Sequence, residues 1–148
     1  MPILTGVIRP WGPVVDVKIM QTVQRVEALK KANRSFGQPV VVAGLIDTGA
    51  SCSALDTHII ERLGLEPHGV TPIHTPSTGP AYELRHVYDA SIVLGETENP
   101  ALIVTVGAIA CDLAAEGYFA LIGRDVLSHC RLIYDGPQQR FNLEYEAP

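Results

Sequence analysis

A carboxylate at the end of an apolar stretch is the feature of this sequence best placed to do chemistry. The apolar run 40–46 is followed at once by Asp-Thr-Gly-Ala-Ser, residues 47–51. Valine-rich runs favour strands and glycine permits tight turns, so the pattern predicts a strand that delivers Asp47 into a turn. An accessible carboxylate there can act as a general base or acid. The simpler alternative is a loop aspartate that accepts hydrogen bonds from its own turn, with Thr48 and the next two backbone amides as the nearest donors.

Two segments together resemble a known family. The sequence Leu-Ile-Asp-Thr-Gly-Ala-Ser at 45–51 resembles the active-site signature of aspartic peptidases. The sequence Ala-Leu-Ile-Gly-Arg-Asp-Val-Leu at 120–127 resembles that family's second landmark, an apolar strand end that runs through Gly-Arg-Asp into a short helix. The chain has one Asp-Thr-Gly and 148 residues, which is too short for the two-lobed pepsin-like form. The resemblance is therefore to the retropepsins, in which two identical chains each supply one aspartate.

The resemblance implies a function and a set of site residues. It implies an aspartic endopeptidase that hydrolyses peptide bonds with a water activated by an Asp dyad, formed across a homodimer from two copies of Asp47. Thr48 would link the two turns across the dimer axis, and Gly49 and Ala50 would support the site and bind the substrate backbone. The substrate would be a peptide or a protein, and no cofactor is implied. The alternative is a non-catalytic peptide-binding or dimerisation module, because a fold alone does not establish activity.

The distribution of apolar residues and turn signals predicts one domain, residues 1–148, that is mostly β. Together with the resemblance it implies a closed or partly open β-barrel subunit of the retropepsin type with one or two short helices. Strands are predicted at 15–19, 87–94, 119–122, 131–134 and 140–145. A further strand at 101–106 is apolar enough to be buried on both faces, and residues 95–100 are a predicted turn. One helix is capped by Asp56 or Thr57 and ends at Gly64, and a second, short helix is predicted at 125–130.

Two segments depart from the retropepsin pattern. Residues 21–38 stand where a tight turn is usual, and their apolar spacing indicates a short amphipathic helix, capped by Thr22 and ended by Gly37, or an extended hairpin. Residues 69–80 are rich in Thr, Pro, Ser and Gly, which is typical of a loop. A segment from there to His86 takes the place of the flap that covers bound peptide, but it lacks the glycine-rich tip of the viral enzymes.

The chain termini are candidates for dimer contacts, because retropepsin termini interleave with those of the second subunit. Apolar and other residues alternate loosely along 1–13, and Pro10 and Pro13 interrupt the pattern. This predicts an arm or an edge strand, because proline cannot donate a hydrogen bond within a ladder. Residues 140–145 alternate strictly, with apolar side chains at every second position. That second pattern suits an internal strand equally well.

Four single residues near these motifs have alternative interpretations. Arg124 is interpreted as structural, pairing with an acidic residue or with backbone carbonyls, because Ser51 stands where viral enzymes usually have an acid. Cys52 is a buried filler or a redox switch. Tyr82 either lines the substrate channel or is a surface aromatic, and His58 is expected to be exposed.

Composition excludes several other classes of function. The net charge of -5 without a cluster of basic residues argues against a nucleic-acid partner. The five histidines and three cysteines show no metal-ligand spacing, so no metal is expected. The three cysteines are few and widely spaced, which predicts free thiols. The sequence shows neither a signal pattern nor a stretch of roughly 20 apolar residues, so a cytoplasmic protein with no membrane segment is expected.

Overall fold

The computed structural model describes residues 1–75, 77, 79–95 and 101–146. Within those ranges the chain forms ten strands, three α-helices and a short 3-10 turn at Ala114–Glu116. The strands are β1 Ile3–Arg9, β2 Gly12–Met20, β3 Val40–Ile46, β4 Ala54–Asp56, β5 Pro67–Ile73, β6 Glu83–Leu94, β7 Leu102–Cys111, β8 Ala120–Ile122, β9 Cys130–Asp135 and β10 Arg140–Tyr145. The helices are α1 Val23–Lys31, α2 Thr57–Leu63 and α3 Arg124–Leu127.

All ten strands belong to one sheet that partly closes on itself. Its order is β5-β6-β7-β4-β8-β3-β2-β1-β10-β9. An additional antiparallel pairing joins β2 to β6, so that six strands form a ring: β2, β3, β8, β4, β7 and β6. Two pairings in the ring are parallel, β3 with β8 and β4 with β7. The predicted mostly-β class is confirmed.

The core fills the ring because the strands alternate as their sequences predict. In β2 the side chains of Val17 and Ile19 are almost fully buried. The strand β7 was predicted to be buried on both faces, and that prediction is wrong: Leu102, Val104 and Val106 are buried, whereas Ile103 between them is 57% exposed. One face of β7 covers the core and the other faces outward, even though nearly all its residues are apolar.

The inserted segment contains a helix, as one of the two alternatives predicted. The hydroxyl of Thr22 caps α1 by accepting a hydrogen bond from the backbone N–H of Arg25 at 3.2 Å. The helix ends at Lys31, not at Gly37, and Leu29 is its one buried residue. Gly37 has a different role, because a Cβ there would collide with the backbone at the end of α2.

The helix α2 follows its sequence signals closely. The carboxylate of Asp56 accepts a hydrogen bond from the backbone N–H of His58, and Gly64 ends the helix in the left-handed conformation at φ 67°. The predicted cap and the predicted end are both confirmed. His58 lies on the outside with its side chain 75% exposed, as expected.

The termini lie inside the sheet of their own chain. Residues 3–7 of β1 pair with β10, and Ile8 and Arg9 pair with β2. The prediction that residues 1–13 form an arm or an edge strand is therefore wrong, because Pro10 falls in the turn and leaves the ladder intact. The internal-strand alternative holds for β10, whose Phe141, Leu143 and Tyr145 are buried.

The strands β5 and β6 form a hairpin in the position expected for a flap. Residues 69–73, predicted as loop, continue β5 as far as the pairing of Ile73 with Glu83. The connection runs from 74 to 82, and Pro76 and Thr78 within it lie outside the described residues. Most of the turn predicted at 95–100 also lies outside them. None of the helices in the described ranges has the length and hydropathy of a membrane span.

Candidate active site

Asp47 occupies the turn that follows β3, as the sequence predicts. The backbone N–H of Gly49 donates to Asp47 Oδ1 at 2.9 Å, and the N–H of Ala50 donates to the backbone carbonyl of Asp47 at 3.2 Å. Asp47 is half-buried, whereas Thr48 and Gly49 are exposed. The turn thus orients the carboxylate through one oxygen while keeping the site open on the outside.

The second landmark lies directly beside this turn. Parallel pairing of β3 with β8 places Ile46 next to Ile122, and the backbone N–H of Asp47 donates to the carbonyl of Ile122 at 2.9 Å. Two segments that are more than 70 residues apart in sequence therefore meet as neighbouring strand ends. The Asp47 carboxylate therefore lies where β3 and β8 both end.

Arg124 binds the turn that carries Asp47 through backbone carbonyls. Its Nη1 donates to the carbonyl of Thr48 at 2.8 Å, and its backbone N–H donates to the carbonyl of Ala50 at 2.9 Å. The alternative that assigned Arg124 to backbone carbonyls is the one observed. The preceding glycine permits this approach, because a Cβ at Gly123 would lie 2.7 Å from the carbonyl carbon of Cys52.

A buried serine joins the two landmarks, and no motif in the sequence marks it. Ser53, with no exposed surface, donates from Oγ to Asp125 Oδ1 at 2.7 Å and from its backbone N–H to Asp125 Oδ2 at 2.8 Å. The same hydroxyl accepts a hydrogen bond from the backbone N–H of Gly123 at 3.0 Å. The aspartate of Gly-Arg-Asp is thus the acceptor that holds the segment after the Asp47 turn.

A fully buried carboxylate fixes the loop that leads into β8. Asp56, 1% exposed, accepts hydrogen bonds from the backbone N–H groups of Leu113 and Ala114, each at 2.8 Å, as well as from His58. Burial by itself raises the pKa of Asp56, but these donors outweigh it and lower the pKa to about 2. The hydrogen bond to Asp56 in turn raises the pKa of His58.

A groove of about 440 Å³ separates the Asp47 turn from the flap hairpin, β5–β6. The turn contributes Asp47, Gly49 and Ala50, and the floor includes Ile109 and Leu121. The hairpin contributes Pro72, Ile73, His74, Glu83 and Arg85. A groove between a strand hairpin and an exposed turn has the shape that accepts an extended peptide.

The flap hairpin carries one aromatic contact and one ion pair at the groove. The rings of His74 and Tyr82 meet edge to face, with centroids 5.9 Å apart. His74 lines the groove, whereas Tyr82 is 61% exposed and lies outside the lining, which favours its interpretation as a surface aromatic. Arg85 is 3.2 Å from the carboxylate of Glu83 and donates to the carbonyl of Ala110 at 3.2 Å.

Tyr118 is a neighbour of the site that sequence reasoning missed. Burial raises the pKa of its phenol, and the negative charges of Glu116 and Asp47 raise it further. Tyr118 therefore lies within electrostatic reach of Asp47. No motif marks it, because its position depends on the path of the chain from the 3-10 turn into β8.

Cys52 is a half-buried free thiol at the wall of the groove. Burial raises the pKa of Cys52, the charge of Asp125 raises it further, and a hydrogen bond with Ser51 opposes both. A raised pKa disfavours the thiolate that redox chemistry needs, which supports the filler interpretation over the switch. Across the described part of the chain, no group of three or more His, Cys, Asp or Glu side chains is arranged to hold a metal ion.

Comparisons with known proteins agree with this arrangement. Residues 34–126 match the family model described as Aspartyl protease. Among solved structures, the chain is similar to a retropepsin-like aspartic protease from Rickettsia conorii, with a TM-score of 0.59 and 15% sequence identity over 97% of this chain and 91% of that one. No curated protein sequence matches. The similarity of structure confirms the retropepsin-like fold.

Proposed function

The chain belongs to the aspartyl protease family, and we propose that it is an aspartic endopeptidase in which Asp47 is the catalytic residue. The observation that carries the proposal is the position of Asp47: its carboxylate is held by the N–H of Gly49 at the wall of a groove of about 440 Å³. Thr48, Gly49 and Ala50 complete the site by shaping this turn. Each chain has one such carboxylate.

The proposed chemistry requires two carboxylates, so the active form is a homodimer with one Asp47 from each copy. In aspartic proteases generally, two carboxylates share one proton. The ionised member takes a proton from a water whose oxygen attacks the carbonyl carbon of the scissile bond, while the protonated member donates to the carbonyl oxygen. The tetrahedral intermediate then loses the amine, which leaves with a proton from the dyad. The pair titrates as a unit, so neither copy has a fixed role.

Substrate binding in this proposal uses the backbone of an extended peptide. The exposed Gly49 and the edge of the flap hairpin offer backbone groups on opposite sides of the groove. A peptide between them adds a strand, and its side chains enter pockets in the walls. The arrangement favours protein or peptide substrates.

The test is cleavage of a diverse peptide library by the wild type and by Asp47→Asn, from acidic to neutral pH and over a range of protein concentrations. Asn keeps the size of the side chain but can neither ionise nor donate an acidic proton, so we expect a loss of at least about a thousandfold in rate. Wild-type activity should rise faster than linearly at low concentration and be blocked by a statine-type inhibitor. Asp16→Asn, an exposed aspartate outside the groove, is the matched control.

The same experiment contains the result that would overturn the proposal. A folded, dimeric wild type that cleaves nothing, or an Asp47→Asn variant as active as the wild type, would remove the enzyme claim. The chain would then be a peptide-binding or dimerisation module on this fold, and binding of the same peptides without cleavage would support that alternative.

A further inference from the structure

The flap hairpin presents two opposite charges to the groove. Glu83 and Arg85 both line the groove, whereas Leu84 between them does not. Successive side chains of a strand point to opposite faces, so Glu83 and Arg85 lie on the inner face of β6. Ile73 on β5, which pairs with Glu83, lines the groove as well. An extended peptide in the groove would therefore pass this charged pair.

Arg85 is held in place by the strand beneath it. Its Nη1 donates to the backbone carbonyl of Ala110 on β7 at 3.2 Å, and its Nη2 donates to Oε2 of Glu83 at 3.2 Å. Burial raises the pKa of Cys111, and the charge of Arg85 opposes that rise, so the guanidinium also lies near this groove thiol. A cation already tied to the backbone loses less conformational freedom when it binds a ligand.

The contacts of Arg85 leave most of its donors for a ligand. A guanidinium has five N–H groups in a planar fork, and its strongest pairing is two parallel hydrogen bonds of about 2.7–2.9 Å to one carboxylate. Arg85 makes two single contacts instead, both at 3.2 Å. Three of the five N–H groups therefore have no acceptor among the residues that the structure describes. A carboxylate from a bound peptide could use them.

The pair is asymmetric, because Glu83 can move away and Arg85 cannot. The side chain of Glu83 is 56% exposed, and within the described ranges its one polar contact is with Arg85. An exposed ion pair of this kind contributes little, so an incoming carboxylate can displace Glu83 into solvent. An incoming ammonium group would have to remain beside Arg85, which the Ala110 carbonyl retains. The site therefore favours an acidic side chain over a basic one.

The surroundings of the pair suit a side chain with an apolar stem. Small and apolar residues line this part of the groove, namely Cys52, Ala54, Ile109 and Cys111. The sheet order β7-β4-β8-β3 places β7 three strands away from the strand that carries Asp47. At roughly 4.8 Å for each strand, Arg85 on the far side of β7 lies well to one side of Asp47. The side chain that it meets belongs to a residue that does not flank the cleaved bond.

We propose that Arg85 determines substrate specificity by binding an acidic side chain of the peptide, while Glu83 moves aside to admit it. The inference rests on the proposed function and names a substrate class for the same groove. In the proposed homodimer the twofold axis would place one Arg85 on each side of the cleaved bond. A preference for an acidic residue is therefore expected once on each side.

The test measures a ratio of two peptides. Cleavage sites mapped in a peptide library give the position at which acidic residues are enriched, and kcat/KM is then measured for peptides with Glu or Gln at that position. We expect the wild type to prefer Glu by about tenfold and Arg85→Gln to bring the ratio to about one. Arg85→Glu should invert the preference, so that Lys is favoured over Glu.

The ratio separates specificity from folding. Both peptides are measured on one preparation, so a partial loss of folded protein cancels. Glu83→Gln removes the competing carboxylate and should raise the preference for Glu. Arg34→Gln is the matched control and should keep the wild-type ratio, because Arg34 is an exposed arginine paired with Glu66 outside the groove.

Three results would overturn the proposal: no acidic position among the wild-type cleavage sites, a preference for Glu that persists in Arg85→Gln, or a preference for Lys that is lost in Glu83→Gln. Cleavage that depends on Asp47 without any acidic preference would remove this inference and leave the proposed function standing.

A wild type that cleaves nothing would remove the proposed function, and capture of the same library on immobilised protein would then decide the inference. Enrichment of acidic peptides on the wild type but not on Arg85→Gln would support it. Equal capture by both proteins would overturn it.

Discussion

Asp47 is held by its own turn, and the turn is held by residues that touch no part of the groove. Ser53 makes three hydrogen bonds in one network: its hydroxyl donates to Asp125 Oδ1 and accepts from the N–H of Gly123, and its backbone N–H donates to Asp125 Oδ2. Buried polar groups must be paired, because an unmade hydrogen bond costs the full desolvation of the group left behind. Positioning of the carboxylate therefore depends on residues outside the Asp-Thr-Gly signature.

Ser53→Ala should lower the stability of the fold. It leaves Gly123 N–H and one oxygen of Asp125 without their buried partner, a loss on the order of 1–3 kcal/mol in the free energy of unfolding. Urea denaturation at neutral pH measures it. Ser35→Ala, at an exposed position, is the control and should change little. Equal stability of the two variants would show that the network contributes nothing.

Asp56 should make the stability of the protein depend on pH in the acid range. Its pKa is about 2 in the folded chain and near 3.8 when unfolded, so its contribution is fully present above pH 3.8 and is lost as the pH falls toward 2. The shift corresponds to about 2 kcal/mol. We expect Asp56→Asn to be less stable than the wild type at pH 6, with the difference shrinking between pH 4 and pH 2. A difference independent of pH in urea titrations would contradict this assignment.

At the scale of elements, the site depends on the close crossing of two chain segments. The segment after β8 passes so near the segment after the catalytic turn that only glycine fits at position 123. The hydrogen bonds from Arg124 to Thr48 and Ala50 lie at the same crossing. The geometry of the turn is therefore set by its contact with α3.

Gly123→Ala should separate these segments. The added Cβ would lie 2.7 Å from the backbone of Cys52, and backbone cannot move aside as the tip of a side chain can. We therefore expect the free energy of unfolding to fall by at least about 2 kcal/mol and the melting temperature to fall with it. Differential scanning calorimetry checks it. Gly69→Ala is the matched control, because no atom lies within 4 Å of the added Cβ. Equal melting temperatures for both variants would mean that the crossing tolerates a side chain.

At the scale of the whole molecule, the ring of strands places the groove and the strand β9 on two sides of one turn. The flap hairpin β5–β6 stands at one end of the sheet and β9 at the other. In the proposed endopeptidase the hairpin covers the substrate, and a second chain supplies the other Asp47.

The sequence by itself determined the local features. The Asp-Thr-Gly turn, the cap and end of α2 and the alternation of β2 and β10 depend on neighbouring residues, so spacing and residue type were enough to predict them. The helix in the inserted segment was also among the predicted alternatives. Its end was wrongly predicted at Gly37, because a glycine can allow close contact between backbone segments as well as end a helix.

Only the tertiary structure decided what depends on partners far apart in the chain. The pairing of Ser53 with Asp125, the donors around Asp56 and the proximity of Tyr118 to Asp47 join residues that no spacing rule connects. The one-sided burial of β7 and the interior position of β1 follow from the order of strands in the sheet, which sequence periodicity does not specify. Long-range pairing also left β9 at the end of the sheet, which no spacing rule predicts.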